Sequence, residues 1–336
     1  MNKSIEQQEL DIFNEYKRVS SVTGTTTLKD LSDSIAAGNG GKIIAISEAL
    51  MEKKIVHLTD AIRQKEARVV LIAGPSSSGK TTFSRRLSLQ LMACGMMPHA
   101  ISLDDYYVNR VDTPLDENGE YDYETVYALD IDYLNLQLKQ LFDGERVELP
   151  RYDFPTGINI RNTGNFLQLG EDDILVIEGI HALNPILTAQ IDDKMKYKVF
   201  VSPMTGLQTG EKNGRHTYTP PVDNRLLRRI IRDVKQRNAS AQDTIHRWTS
   251  VRAGEEKWIY PFYHEADRIF NTALYYELAV IKTQAEPQLR LVPEGSEEYE
   301  TAQRLLSFIE NLPTLPEEFI PRFSLLREFL GGSVFE

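Results

Sequence analysis

Gly74-Pro-Ser-Ser-Ser-Gly79-Lys80-Thr81 carries the spacing G-x-x-x-x-G-K-[ST], and a second threonine, Thr82, follows it. Each residue type in that run has a physical task. Glycines let the backbone curl so that successive N–H groups face phosphate oxygens. The positive end of a following helix adds its field. A lysine at Lys80 can reach the β- and γ-phosphates, and the Thr81 hydroxyl can ligate Mg²⁺. Gly74, Ser76, Ser77, Ser78, Gly79, Lys80, Thr81 and Thr82 are therefore candidate binders of a nucleoside triphosphate with magnesium.

Two further groups could act on that ligand. Asp104 and Glu178 each follow a short apolar run, where a strand would end. In open α/β sheets ligands sit beyond the carboxyl ends of the strands, so both acids are expected on the P-loop edge. There an ionised carboxylate can orient an attacking hydroxyl or hold a metal. Asp105, one residue later, would point away if the chain is still extended. In Val222–Arg237, Arg225, Arg228, Arg229 and Arg232 fall at i, i+3, i+4 and i+7 on one helix face, opposite Leu226, Leu227, Ile230, Ile231 and Val234. A guanidinium fork suits phosphate oxygens and stays charged, so the stripe is expected to act as a lid over the transferring phosphoryl group.

The elements that must position these groups are legible in outline. Ala67–Ala73 reads as a buried parallel strand, followed by the Gly/Ser loop and a helix over 79–94. Further strands are expected at His99–Leu103, Ile174–Ile177 and Tyr197–Val201, with helices at 130–142 and 222–238 between them. That alternation implies an α/β fold with a doubly wound, mainly parallel sheet and helices on both faces. Residues 146–169 read as a small β-rich excursion and 203–221 as a long polar loop. Ile44, Met51, Ile55, Leu58 and Ile62 share a helix face near the start, and 297–312 carries a second helical pattern. The expected division is a helical extension (1–65), a P-loop core (66–285, with the lid and insert at about 203–240) and a packed C-terminal helix and tail (286–336).

Bulk properties narrow the class. The net charge of −11 over 336 residues disfavours binding to nucleic acid or anionic membranes. The single cysteine, Cys94, forms no disulfide within the chain. The polar start and the absence of a long apolar stretch lead to the expectation of a cytoplasmic protein with no membrane span.

The ordered pieces GPSSSGKTT (74–82), LDDYY (103–107), DYETVYALD (122–130), PRYDF (150–154), ILVIEG (174–179) and NRLLRRIIRD (224–233) resemble the uridine kinase/phosphoribulokinase group of P-loop kinases. The resemblance spans roughly 67–285. It implies an ATP-dependent kinase with Mg²⁺ that acts on a nucleoside in salvage, and it makes a homo-oligomer plausible. Residue by residue, it implies Asp104 as the base for the sugar 5′-hydroxyl, assisted by Lys80 and Arg228. It implies Thr81, Glu178 and Asp104 at the metal, and Arg232 on the nucleotide. Tyr107 and Tyr152 would line the acceptor pocket, Glu124 (or Asp122) would meet the ribose hydroxyls, and Arg225 and Arg228 would contact phosphates from the lid. Where the family places a histidine that reads a pyrimidine, this chain has Gly157, which leaves the base open. The segments 252–257 and 324–332 resemble a bacterial nucleoside-kinase subgroup whose longer members carry a synthetase-like N-terminal region, which this chain is expected to lack.

Two other readings stay open at this level. One keeps the fold and takes a sugar phosphate or another small alcohol as acceptor. The other is a nucleotide-dependent regulatory NTPase, although no Asn-Lys-x-Asp motif follows the P-loop.

Overall fold

The computed structural model describes residues 3–117, 119–212 and 215–335. Three helices come first: α1 (Ile5–Thr23), α2 (Leu28–Ala36) and α3 (Gly40–Gln64). Gly24 ends α1 at φ +65°, and a Cβ there would lie 2.7 Å from Ser34 Oγ. Thr27 and Asp30 then form a reciprocal capping box that starts α2. The apolar face of α3 read from the sequence is buried in the core.

The core continues through β1 (Val69–Ala73), α4 (Lys80–Ala93), β2 (Met97–Ser102) and α5 (Ile131–Phe142). The excursion consists of β3 (Val147–Glu148), β4 (Arg151–Asp153), β5 (Ile158–Ile160) and β6 (Phe166–Leu167), paired antiparallel as β3–β6 and β4–β5. After β7 (Asp173–Glu178) and β8 (Lys196–Ser202) come β9 (Gln208–Lys212) and β10 (Arg215–Tyr218). The chain ends with α6 (Pro221–Arg237), α7 (Ala241–Trp258), β11 (Arg268–Asn271), α8 (Glu277–Arg290), α9 (Tyr299–Ile309) and α10 (Arg327–Leu330).

Five strands form one parallel sheet in the order β11-β8-β1-β7-β2. β1 lies at its centre with all five residues buried. Its alternation divides the core. Val70 and Ile72 pack with Phe83 of α4, Leu226 of α6 and Val280 of α8, whereas Val69, Leu71 and Ala73 pack with Leu134 and Leu138 of α5. Helices thus cover both faces, and the architecture is that of an α/β P-loop NTPase.

Register places the chemistry. Ile72 pairs with Glu178, and Ser102 pairs with Glu178 from the other side. The P-loop after β1, Asp104 after β2 and Glu178 at the end of β7 therefore share one edge.

Besides α8, which was not read, three features depart from the sequence reading. A fifth strand, β11, extends the sheet beside β8. Its four residues, Arg-Ile-Phe-Asn, are too short to show a period. Its outer edge is closed by a side chain of α1: the Ile269 N–H donates to Gln8 Oε1 at 2.9 Å, and Gln8 Nε2 donates to the Asp267 carbonyl at 3.3 Å. Helix α7 was not read, because its apolar positions are sparse. The polar loop at 203–221 contains the β9–β10 hairpin, which is tied to the N-terminal helices by Gln208 N–H to Thr26 O and by the Phe13–Tyr218 ring contact.

Candidate active site

The P-loop closes on itself and on its neighbours. Gly79 adopts φ +89°, and Ser77, which is not a glycine, adopts φ +60°. A Cβ on Gly74 would lie 2.2 Å from the Val201 carbonyl, so only glycine lets the loop pass β8. Lys80 Nζ donates to the carbonyls of Gly74 and Pro75 at 3.0 and 3.3 Å. Thr81 Oγ1 donates to Glu178 Oε1 at 3.2 Å.

The arginine stripe divides into two groups. Arg225 and Arg228 are 0 % exposed and lie outside the cavity lining. Arg225 meets Glu255 of α7 through two bonds of 2.5 and 2.9 Å and donates to Ser76 O at 3.0 Å. Arg228 meets Glu277 at 3.0 and 2.8 Å and donates to the Thr272 carbonyl. The expected phosphate contact for this pair is corrected to support of the P-loop from beneath, because their forks are already filled by buried carboxylates. Arg229, Arg232 and Arg237 line the cavity instead. All three lean on one carboxylate, Asp233, at 3.2, 2.9 and 3.6 Å, which leaves positive charge in excess. Burial and the nearby Arg232 hold the Arg229 guanidinium pKa below its usual value, so an anion there would relieve its cost. Packed against α7, α8 and α10, α6 forms a wall of the site.

A cavity of about 1340 Å³ opens between these elements. Of the residues singled out from sequence, it brings together Ser76, Ser77, Lys80, Thr81, Asp104, Tyr107, Glu124, Tyr152, Glu178 and Arg232. Gly74, Ser78, Gly79 and Thr82 shape the loop behind them. The Thr82 N–H is taken by Glu328 Oε2 at 2.9 Å.

The acids are poised differently. Burial, with Asp104 close by, pushes the Glu178 carboxyl up to about 7 against the pull of Lys80. Asp104 opens onto the cavity. Enclosure raises its pKa, and Lys80, Arg237 and Arg232 oppose the rise. The chain is no longer extended here, because Leu103–Tyr106 form a 3-10 turn, and from that turn Asp105 accepts from the Tyr152 N–H at 3.2 Å. Thr81, Asp104 and Glu178 together offer hard oxygen donors of the kind Mg²⁺ takes.

The far end of the cavity is aromatic and acidic. The rings of Tyr107, Tyr152 and Phe154 stand 5.0 to 6.4 Å apart, and Tyr123 lies 6.3 Å from Tyr107. The Tyr152 hydroxyl is buried and has no hydrogen-bond partner among the described residues. Asp122 Oδ1 accepts from the N–H groups of Glu124 and Thr125, which shapes the turn, and both Asp122 and Glu124 line the cavity. Burial pushes Glu124 up to about 7, against Arg229. Behind it a Cβ on Gly254 of α7 would lie 2.4 Å from Glu124 Cβ, so this approach requires glycine. Arg110 lies flat on Gly157: a Cβ at 157, where φ is +73°, would meet Arg110 Cβ at 2.7 Å and Nε at 2.8 Å.

Arg110, Arg237, Glu255, Gly254 and Glu328 were not found from sequence. Only their three-dimensional neighbours give them meaning. Arg229 was on the stripe, but spacing alone does not tell it from Arg225.

The profile of the Phosphoribulokinase / Uridine kinase family matches residues 69–276, which run from the central strand through β11. The chain belongs to that family. It is 31 % identical over 210 residues to a uridine kinase of Staphylococcus aureus, covering 61 % of this chain and 87 % of that one. It is 30 % identical over 187 residues to a uridine kinase of Ureaplasma urealyticum, covering 56 % and 79 %. A solved structure described as a possible uridine kinase from Bacillus stearothermophilus superposes with a TM-score of 0.43 at 22 % identity, over 65 % of this chain and 98 % of that one. Membership in the family makes the chain an ATP-dependent kinase, with ATP as its co-substrate.

Proposed function

We propose that this kinase transfers the γ-phosphoryl group of ATP to the 5′-hydroxyl of a neutral nucleoside, giving a nucleoside monophosphate and ADP. The observation that carries this reading is the division of charge within one cavity. Lys80, Arg229, Arg232 and Arg237 gather at the P-loop, where Arg229 donates to Ser76 Oγ at 2.8 Å and the others act on Asp104. Asp122 and Glu124 flank Tyr123, whose carbonyl accepts from the Tyr107 hydroxyl in the aromatic part, while Arg110, Asp116, Glu117, Arg247 and Lys257 also line the cavity. A triphosphate suits the first. An uncharged ring with hydroxyls suits the second, where the Asp122 and Glu124 carboxyls disfavour a sugar phosphate.

In this reading Lys80 and the P-loop N–H groups bind the triphosphate. Asp104 accepts the hydrogen bond of the acceptor hydroxyl and directs its oxygen at the γ-phosphorus, taking the proton as the bond to phosphorus forms. Arg229, Arg232 and Arg237 neutralise charge on the moving group. Glu124 accepts from sugar hydroxyls, and the Tyr107–Tyr152–Phe154 box stacks the base. Thr81, Glu178 and Asp104 would hold magnesium, which supplies charge neutralisation on the phosphate oxygens when bound.

Such a reaction returns free nucleosides to the nucleotide pool and draws on cytoplasmic ATP. Among the described residues no helix is long and apolar enough to cross a membrane. Competition between uridine and ribose 5-phosphate in ADP release tests the assignment. Nucleoside-dependent turnover untouched by the sugar phosphate supports it, and the reverse pattern removes it.

A further inference from the structure

The C-terminal segment reaches back to the nucleotide site from beyond the family match. Glu328, on α10, places Oε2 2.9 Å from the backbone N–H of Thr82. Thr82 is the third residue of α4, whose first turn begins at Lys80, so this N–H is one of the free donors at the start of the P-loop helix. Such donors, with the helix field behind them, are where phosphate oxygens bind. Glu328 also lines the same cavity as Lys80, Thr81, Arg232 and Arg237. Its charge is felt by Glu178, whose pKa it helps to raise.

The arm that presents this carboxylate is firmly built. Phe329 is fully buried, with Arg228 over its ring at 5.2 Å. Lys235 of α6 donates to the Leu330 carbonyl, and Gln236 donates to the Glu328 carbonyl at 3.3 Å. Upstream, Ser324 Oγ meets the Tyr276 hydroxyl at 3.0 Å and accepts from the Leu326 N–H. Phe329 and Leu330 therefore seat the segment against α4 and α6, with the half-buried Glu328 side chain on the Thr82 N–H, so that moving the acid away unseats the segment with it.

We propose that Glu328 is an internal stand-in for a nucleotide phosphate: its carboxylate occupies a phosphate-binding donor of the P-loop helix, and ATP must displace it to bind. The nucleotide site then holds a built-in competitor, and the apparent affinity for ATP falls by the fraction of molecules in which the arm is seated. A helix cap with no functional consequence would share the geometry but not the competition.

The test uses the full chain with ATP and Mg²⁺ as the probe. Isothermal titration of Glu328→Gln is expected to give binding about tenfold tighter than the native protein, the scale of one charge-assisted hydrogen bond given up on binding. In the native protein, amide exchange over 324–330 is expected to quicken when ATP binds. Unchanged or weaker binding by the variant overturns the proposal. Tighter binding with no loss of protection in the native segment also overturns it, because the acid would then repel the nucleotide without leaving its place. Neither measurement involves an acceptor, so both stand whether or not the acceptor is a nucleoside.

Discussion

Glu255 and Ser76 meet at 3.1 Å, the P-loop N–H donating to a carboxylate that comes from α7, 179 residues further along the chain. The same carboxylate takes both forks of Arg225, and Arg225 returns a bond to the Ser76 carbonyl. One ion pair, 0 % exposed on both sides, thus holds the phosphate loop at Ser76.

Breaking that pair should cost stability before it costs chemistry. Glu255→Ala leaves the Arg225 guanidinium buried without its partner, at about 3–5 kcal/mol. Denaturant unfolding checks this. A variant that unfolds at the native midpoint contradicts the assigned role.

The two groups of arginines should separate by assay. Arg232→Ala, on the cavity wall, is expected to keep the native melting temperature and lose roughly 10²–10³-fold in kcat. Arg228→Met should instead lower the melting temperature, because Glu277 is left buried and uncompensated. Parallel melting curves and steady-state rates distinguish them.

Glu124 gives a pH signature. Burial raises its pKa to about 7 from an ordinary 4.5. The folded chain therefore holds this proton more tightly than the unfolded chain does. Its stabilising contribution is present below about pH 4.5 and is lost as pH rises through about 7. Glu124→Gln should melt higher than the native protein at pH 8. The same ionisation makes Glu124 a better acceptor of sugar hydroxyl bonds, so kcat/KM for the acceptor should rise between pH 6 and 8, and the Gln variant should lose that limb. A profile unchanged by the substitution removes Glu124 from the acceptor site.

Arg110 is expected to contribute to acceptor choice. Gly157 makes room for it, and it donates to the Phe154 carbonyl at 2.5 Å and acts on the Tyr152 hydroxyl at the aromatic end. Arg110→Ala should raise KM for the nucleoside roughly tenfold or more, as expected for loss of a charged donor, with ATP binding unchanged. An equal effect on both substrates would mean that the loop has simply lost its shape.

How much of this could be read from the chain depends on the range of each signal. The P-loop is a contiguous pattern whose residue types each answer to phosphate, so sequence placed it between the right strand and helix. Asp104 and Glu178 were legible because parallel strands end on one edge, and the register of β1, β2 and β7 realises that. The arginine stripe was legible as a face but not as two groups, since a helical period does not say which arginines meet Glu255 and Glu277 on other helices. β11 was too short to announce itself, and Glu328 carries no local mark: its contact joins residues 246 positions apart.

In the proposed reaction Asp104 directs a nucleoside hydroxyl at ATP. The most direct measurement is ADP release from ATP and Mg²⁺ against a panel of nucleosides, pentose phosphates and no acceptor, with Asp104→Asn in parallel and ATP binding measured for both. Release is expected to depend on a nucleoside and to fall roughly 10²–10⁴-fold in the variant while ATP binding persists. Release that ignores every nucleoside, or a variant that turns over like the native protein, would contradict the proposed reaction.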